Sequence, residues 1–249
     1  NLFIVNKNYT QSVKRGRLSF LIILLLLFTN LFSFSQKDST RSQNFKVKTV
    51  VIDPGHGGHD PGCLGSSSKE KHVCLGIALK LGKLIKTHCP DVKVIYTREK
   101  DEFIKLHERA NIANKNKADL FISIHANSAE NKSAYGTETY VMGTKYTDRN
   151  LELSKRENSV ILMEKDYEKN YGGYDPNSPM TNILMGLYQQ EYLQSSINFA
   201  NKVEHQFSSR NNRHSRGVRQ RVLLVMYRTT MPSVLIEVGF LSNSKNQAL

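Results

Sequence analysis

The sequence predicts a single-domain open α/β sheet flanked by helices, and three observations carry that prediction. Apolar, β-branched runs alternate with segments of helical period. The runs are continuously apolar near their ends, as in strands covered on both faces. Glycine, proline or polar residues close each of them. Residues 47–53 (VKTVVID) form the first strand, bounded by Pro54-Gly55. A glycine-rich loop follows, with Gly55, Gly57, Gly58, Gly62 and Gly65 around His56. From Lys69 to about His88, Val73, Ile77, Leu81, Leu84 and Ile85 keep a helical spacing that Pro90 stops.

Residues 92–97 (VKVIYT) read as a second strand, 105–116 as a second helix, and 119–125 (DLFISIH) as a third, buried strand. Residues 135–142 (YGTETYVM) read as a further strand. The polar stretch 145–179 looks inserted, with a helix-like piece over 151–164 and a turn-rich end at Gly172-Gly173. Leu193, Ile197, Ala200, Val203 and Phe207 mark a long amphipathic helix, and 222–226 and 234–237 are the expected last strands.

With 249 residues the chain is long enough to bury a sizeable core. Hydrophobic residues at 39% and only 15 Gly and 6 Pro exclude collagen-like and wholly disordered classes. Lys14, Arg15 and Arg17 precede the apolar run 20–28 (FLIILLLLF), and Ser33 and Ser35 supply small residues at a cleavage position. This pattern is a signal peptide over 1–35, followed by a polar linker over 36–45 and the domain from 46 to 249. The run is too short for a stable membrane span once the signal is cleaved, although the wider apolar tract could serve as an uncleaved anchor. The chain opens with Asn1 rather than Met, so it could also be a fragment.

Removal of 1–35 takes the formal charge from +13 to +9. An exported chain meets envelope polymers, so nucleic acid is not expected as a partner; a generally solvated basic surface explains the charge as well. Cys63, Cys74 and Cys89 are odd in number and lack a CxxC, which argues against a disulfide framework or a thiolate zinc site and for small buried hydrophobes.

Ligands of open α/β sheets bind beyond the carboxyl ends of the strands. His56 follows the first strand, His125 ends the third, Glu237 ends the last, and Glu70 opens the helix after the glycine loop. Two imidazoles and one carboxylate can hold a catalytic zinc with a position open for water, leaving the second carboxylate as base. Plainer alternatives exist for each residue. Ser67-x-x-Glu70 fits a capping box, His125 could be a satisfied buried histidine, and the glycine loop could be a turn or, less well, a phosphate cradle lacking the usual spacing. Glu237 lies among Val234, Leu235, Ile236, Val238 and Phe240, where an unpartnered carboxylate is costly, so it needs a partner.

These residues, taken in order, resemble a known family. The segments 51–62 (VIDPGHGGHDPG), Glu70-Lys71, Thr97-Arg98 with Asp101, 106–114 (LHERANIAN), 119–128 (DLFISIHANS), Arg216-Gly217-Val218 and 232–243 (PSVLIEVGFLSN) are similar to the zinc-dependent N-acetylmuramoyl-L-alanine amidases of cell-wall turnover. The resemblance implies one zinc ion held by His56, Glu70 and His125, with Glu237 as the catalytic carboxylate. It also implies a mixed sheet of about six strands and hydrolysis of the amide between muramic acid and L-alanine in peptidoglycan. The expected location is periplasmic or envelope-associated, and a protein activator is a possible partner. The alternatives are an exported zinc peptidase on a related scaffold and a non-catalytic peptidoglycan-binding relative, the latter favoured by lost ligands, of which there are none.

Lower-ranked residues also receive readings. Asp53 and Asp60 could orient an imidazole or merely stabilise the turn, and Asn127 is a secondary candidate for a substrate contact. His59, His107 and His214 are expected on the surface or on helices. The piece 151–168 carries Glu152, Glu157, Glu164 and Glu168; its plainer reading is a solvated charged helix, its alternative a lid whose glutamate reaches the metal, as in some members of the family. The family continues past 240–243 into a final helix, whereas this chain stops at Leu249, which raises the expectation of a truncated C-terminus.

Overall fold

The computed structural model describes residues 46–65, 67–143, 151–174 and 189–243. The expected signal peptide 1–35, the linker 36–45, positions 145–150 and 175–179 of the expected insertion and the C-terminal residues 244–249 lie outside the described residues. The described elements are β1 (Thr49–Pro54), α1 (Glu70–His88), β2 (Lys93–Tyr96), α2 (Leu106–Lys115), β3 (Leu120–Asn127) and β4 (Thr137–Met142). After these come α3 (Leu151–Ser159), which runs on into a 3-10 turn at Val160–Met163, and α4 (Tyr167–Asn170). The last are α5 (Leu193–Asn211), β5 (Ser215–Arg221), α6 (Leu224–Tyr227) and β6 (Ser233–Phe240).

Six strands form one sheet in the order β2-β1-β3-β6-β4-β5. The pairings are parallel except β4 with β6, which is antiparallel, so the sheet is mixed as expected. Strand side chains alternate between faces. Val51, Phe121 and Leu235 join Leu106, Leu153, Val160 and Leu223 in one core, under α2, α3 and α6. Val50, Ile52, Ile122, Ile124, Val234 and Ile236 meet Ala78 of α1 and Ala200 of α5 in the other. The two central strands β3 and β6 are buried along their whole length, which is why they read as continuous apolar runs.

One expectation fails. Residues 222–226 are not a strand: Val222 and Leu223 lead into the short helix α6, whose residues are all buried. A short apolar run has no periodicity that separates a buried helical turn from a strand. The strand beside it is β5, SRGVRQR, whose charged and half-exposed residues suit an edge of the sheet. Among the described residues all cysteines are free. Cys63 and Cys74 are buried as expected, but Cys89 is exposed at the end of α1. No helix among the described residues is long and apolar enough to cross a membrane.

Candidate metal centre

The face under α2 and α3 carries the chemistry. His125 on β3 pairs in register with Glu237 on β6, and Glu237 with Glu138 on β4. Residues in register share a face, so the three side chains form a row across the carboxyl end of β3 and β6. His56 comes from the loop after β1, and Glu70 is the first residue of α1.

The loop is held from beneath by buried guanidinium groups. Arg109 donates to the carbonyls of Pro54 (2.7 Å) and His56 (2.7 Å) and to Asp53 Oδ1 (2.9 Å). Arg98 donates to the carbonyls of Pro54 (3.0 Å), Gly55 (2.7 Å) and Lys71 (2.8 Å). The chain thereby places His56 at φ 60° and Gly57 at φ 126°, the latter a conformation that favours glycine. At Gly55 the requirement is a close approach: a Cβ there would lie 2.5 Å from the His125 ring. The glycines thus let the loop close over imidazoles, and the phosphate-cradle alternative falls.

Asp53 also accepts from Thr97 Oγ1 (2.6 Å) and Ser123 Oγ (2.7 Å). Burial alone would raise its pKa, but Arg109 and the two hydroxyl groups outweigh it and hold the carboxyl below its usual range. A carboxylate depressed in the fold stabilises it above the unfolded pKa of about 3.9, and that contribution is lost as pH falls through the folded value. Asp53→Asn, which strands the Arg109 charge, is expected to cost about 3–5 kcal/mol at pH 7. Urea unfolding should show this difference narrowing below about pH 4; a difference independent of pH would mean that the charge of Asp53 contributes nothing.

Above the loop, His56 Nε2, Glu70 Oε1, His125 Nδ1 and Glu157 Oε2 lie within 4.8 Å of one another, all on buried residues. His56 Nε2 is 3.1 Å from Glu70 Oε1 and 3.4 Å from Glu157 Oε2. His125 Nδ1 is 3.1 Å and 3.2 Å from the same two oxygens. A tetrahedron with metal–ligand bonds of about 2.1 Å has edges of about 3.4 Å; four of the six separations here, 3.1–3.4 Å, come close to that, and the other two lie within 4.8 Å. His56 Nδ1 is 2.8 Å from Asp60 Oδ2, which turns Nε2 toward the cluster, where it makes no hydrogen bond. Glu70 Oε2 accepts from the amide of Cys63 (2.7 Å) and Oε1 from that of Ala126 (2.9 Å). The capping-box alternative therefore fails: the N-cap is Lys69, with no side-chain cap.

The electrostatics call for positive charge. Burial would lower both imidazoles, but Glu70 and Asp60 raise His56 well above its usual value, and Glu157 with Glu70 raises His125 to about 9. Burial would raise Glu70 and Glu157, but the two histidines hold both below the carboxylate range. Glu237 is pushed well above it, by burial first and then by Glu157 and Glu70, and neither of its oxygens has a hydrogen-bond partner among the described residues. A divalent cation among these residues would satisfy a buried, acid-rich cluster, so the donor set fits a metal.

A family model for N-acetylmuramoyl-L-alanine amidase matches residues 50–249. The chain belongs to the N-acetylmuramoyl-L-alanine amidase family. It is similar to the amidase AmiA of Escherichia coli K12, 33% identical over 205 residues that cover 81% of this chain and 68% of the relative. AmiA of Salmonella typhimurium LT2 is 32% identical over 216 residues, covering 86% and 72%. A solved amidase of Clostridium difficile 630 superposes with a TM-score of 0.58 at 28% identity, covering 81% of this chain and 84% of that one.

Within this amidase fold, the structure brings His56, Glu70 and His125 into one cluster and sets Glu237 beside His125 in the sheet. The residue that sequence reasoning did not single out from its neighbours is Glu157. Its helix is far from a solvated one: Glu157 and Asn158 are buried, as is Glu164 beyond the helix. The signal that could have found it is the polar run Glu157-Asn158 between buried Leu153 and the apolar Val160-Ile161. Asn158 donates to Tyr174 and the Val222 carbonyl and accepts from the Leu224 amide, so it is tied down as firmly as a core residue. Asn127, a secondary candidate for a substrate contact, accepts from Arg156 of the same helix. The remaining histidines stay off the cluster. His59 packs on Phe103, His107 on Tyr171 and His214 on Tyr135.

Proposed function

We propose that this chain is an exported zinc enzyme that hydrolyses the amide between N-acetylmuramic acid and L-alanine in peptidoglycan, with His56, Glu70 and His125 as its metal ligands. The observation that carries this reading is the cluster of two imidazoles and two carboxylates within 4.8 Å of one another, set beside a buried carboxyl with no hydrogen-bond partner among the described residues. Two imidazole and two carboxylate donors suit zinc, whereas magnesium and calcium take six or more oxygens. When bound, zinc supplies a Lewis acid for the scissile carbonyl and lowers the pKa of water toward neutrality.

The chain's own residues do the rest. Asp60 orients His56, while the amides of Cys63 and Ala126 fix the Glu70 carboxylate. Glu237 takes a proton from the attacking water and returns it to the departing alanine nitrogen. Its neighbour Glu138 is unsuited to that role: its oxygens accept from Tyr140 and Arg216 and are already engaged.

The same reading makes α3 a lid that holds the site shut. Glu157 takes the position that water or substrate needs, while Arg156 ties the helix to Asn127 and to the Ser128 carbonyl. Withdrawal of α3 opens that position and removes a like charge from Glu237, and a protein activator is the partner suited to withdrawing it. A signal peptide over 1–35 and an envelope location accord with a peptidoglycan substrate.

The test uses purified sacculi. Free peptide stems should be released, the release should stop with a chelator, and zinc should restore it. Fragments cut within the stem would instead mean a peptidase. Binding without release, even with Glu157 removed, would mean a wall-binding relative.

A further inference from the structure

The motif Arg216-Gly217-Val218 has no part in the chemistry above, yet Arg216 is aimed with care. It lies on β5 where the pairing with β4 shifts register between Thr137 and Thr139. Its guanidinium carbon sits 5.1 Å from the centre of the Phe240 ring, and its Nε donates to Glu138 Oε1. Glu138 is 3% exposed, its other oxygen accepts from Tyr140, and Arg219 Nη2 lies 3.5 Å from the Oε1 that holds Arg216, so its charge is shared between the two arginines. Among the described residues no acceptor engages Nη1 or Nη2 of Arg216, and the side chain is 32% exposed.

Arg216 lines a groove of about 290 Å³ whose charged members are Glu130, Glu138, Glu152, Arg156 and Arg216; Glu138 and Arg156 are already paired, and Glu152 and Arg156 leave with α3 when the lid withdraws. The groove continues the row that carries the reaction: His125, Glu237 and Glu138 lie in register on β3, β6 and β4, and Arg216 is on the next strand. Strands are about 4.8 Å apart, so β5 lies roughly 10 Å from Glu237, a span that an extended peptide covers in about three residues. An arginine stacked on an aromatic ring, with one nitrogen pinned and its fork free, suits a carboxylate.

We propose that Arg216, positioned by Glu138 and Phe240, binds a carboxylate borne by the second or third residue of the peptide stem. This rests on the amidase reading and adds the part of the substrate that the enzyme selects.

The experiment measures binding by calorimetry in the full chain carrying Glu157→Ala, which releases the lid, and Glu237→Gln, so that no ligand is consumed. The ligands are a muramoyl tripeptide with free stem carboxylates and the same compound with those groups amidated. The free acid should bind about tenfold more tightly or better, as expected for a charge-assisted pair in a partly exposed groove. Adding Arg216→Ala should bring the ratio to about one. Adding Arg216→Lys, which keeps the charge but not the fork, should leave an intermediate ratio and carries the test should the alanine variant fold poorly. Equal binding of the two ligands, a ratio unchanged by either substitution, or no binding of either ligand overturns the proposal. Stem release from sacculi by the unsubstituted protein is scored separately, so failure of this inference and failure of the amidase reading give different results.

Discussion

Glu237→Gln protein is expected to keep its metal and to lose about 10²- to 10⁴-fold in stem release, the range spanned by a positioned proton-transfer group. The substitution preserves shape and removes the ability to accept a proton. No hydrogen bond among the described residues is broken, because neither carboxyl oxygen has a partner there. The fold should gain stability if it changes at all: burial and the like charges of Glu157 and Glu70 oppose ionisation of Glu237, and a neutral amide escapes that opposition. Metal content by atomic absorption, stem release from sacculi and a thermal melt together decide the matter. Normal turnover in Glu237→Gln, with metal retained, would remove this residue from the mechanism. Loss of metal would instead make it a ligand.

The second large effect runs the other way. Glu157→Ala is expected to raise basal stem release about ten- to a hundredfold, because the carboxylate makes contacts of 3.2 and 3.4 Å with two imidazoles, and hydrogen bonds to charged groups contribute about 1.5–3 kcal/mol. That free energy now favours the closed lid, and its loss shifts the population toward an open one. Arg156 and Asn158 still anchor α3 in this variant, so the gain measures the carboxylate alone. The opposite result is equally clear. If Glu157 were a permanent ligand, Glu157→Ala would bind metal more weakly and hydrolyse more slowly, and the lid reading would be abandoned.

How much could be read beforehand varies by residue for physical reasons. β3 and β6 were legible because both faces of each are covered, which forces an unbroken apolar run; β5 was not, because an edge strand can be charged throughout. His56, Glu70, His125 and Glu237 stood out by position, at strand ends and at a helix start, where open sheets carry their ligands. For Glu70 the spacing alone could not separate a helix cap from a buried carboxylate. The amides of Cys63 and Ala126 make that distinction in three dimensions.

The sequence alone determined the class of the fold, the order of most of its elements and the family, since periodicity, turn residues and ordered motifs are properties of neighbours along the chain. Only the tertiary structure decided which of four glutamates in 151–168 meets His56 and His125, that Glu138 is engaged by Arg216 and Arg219 while Glu237 has no hydrogen-bond partner among the described residues, and that the apolar run at 222–226 turns into a helix. Each of these depends on contacts between residues tens of positions apart. The free energy of a buried charge is set by what surrounds it in space, and local pattern carries no record of that.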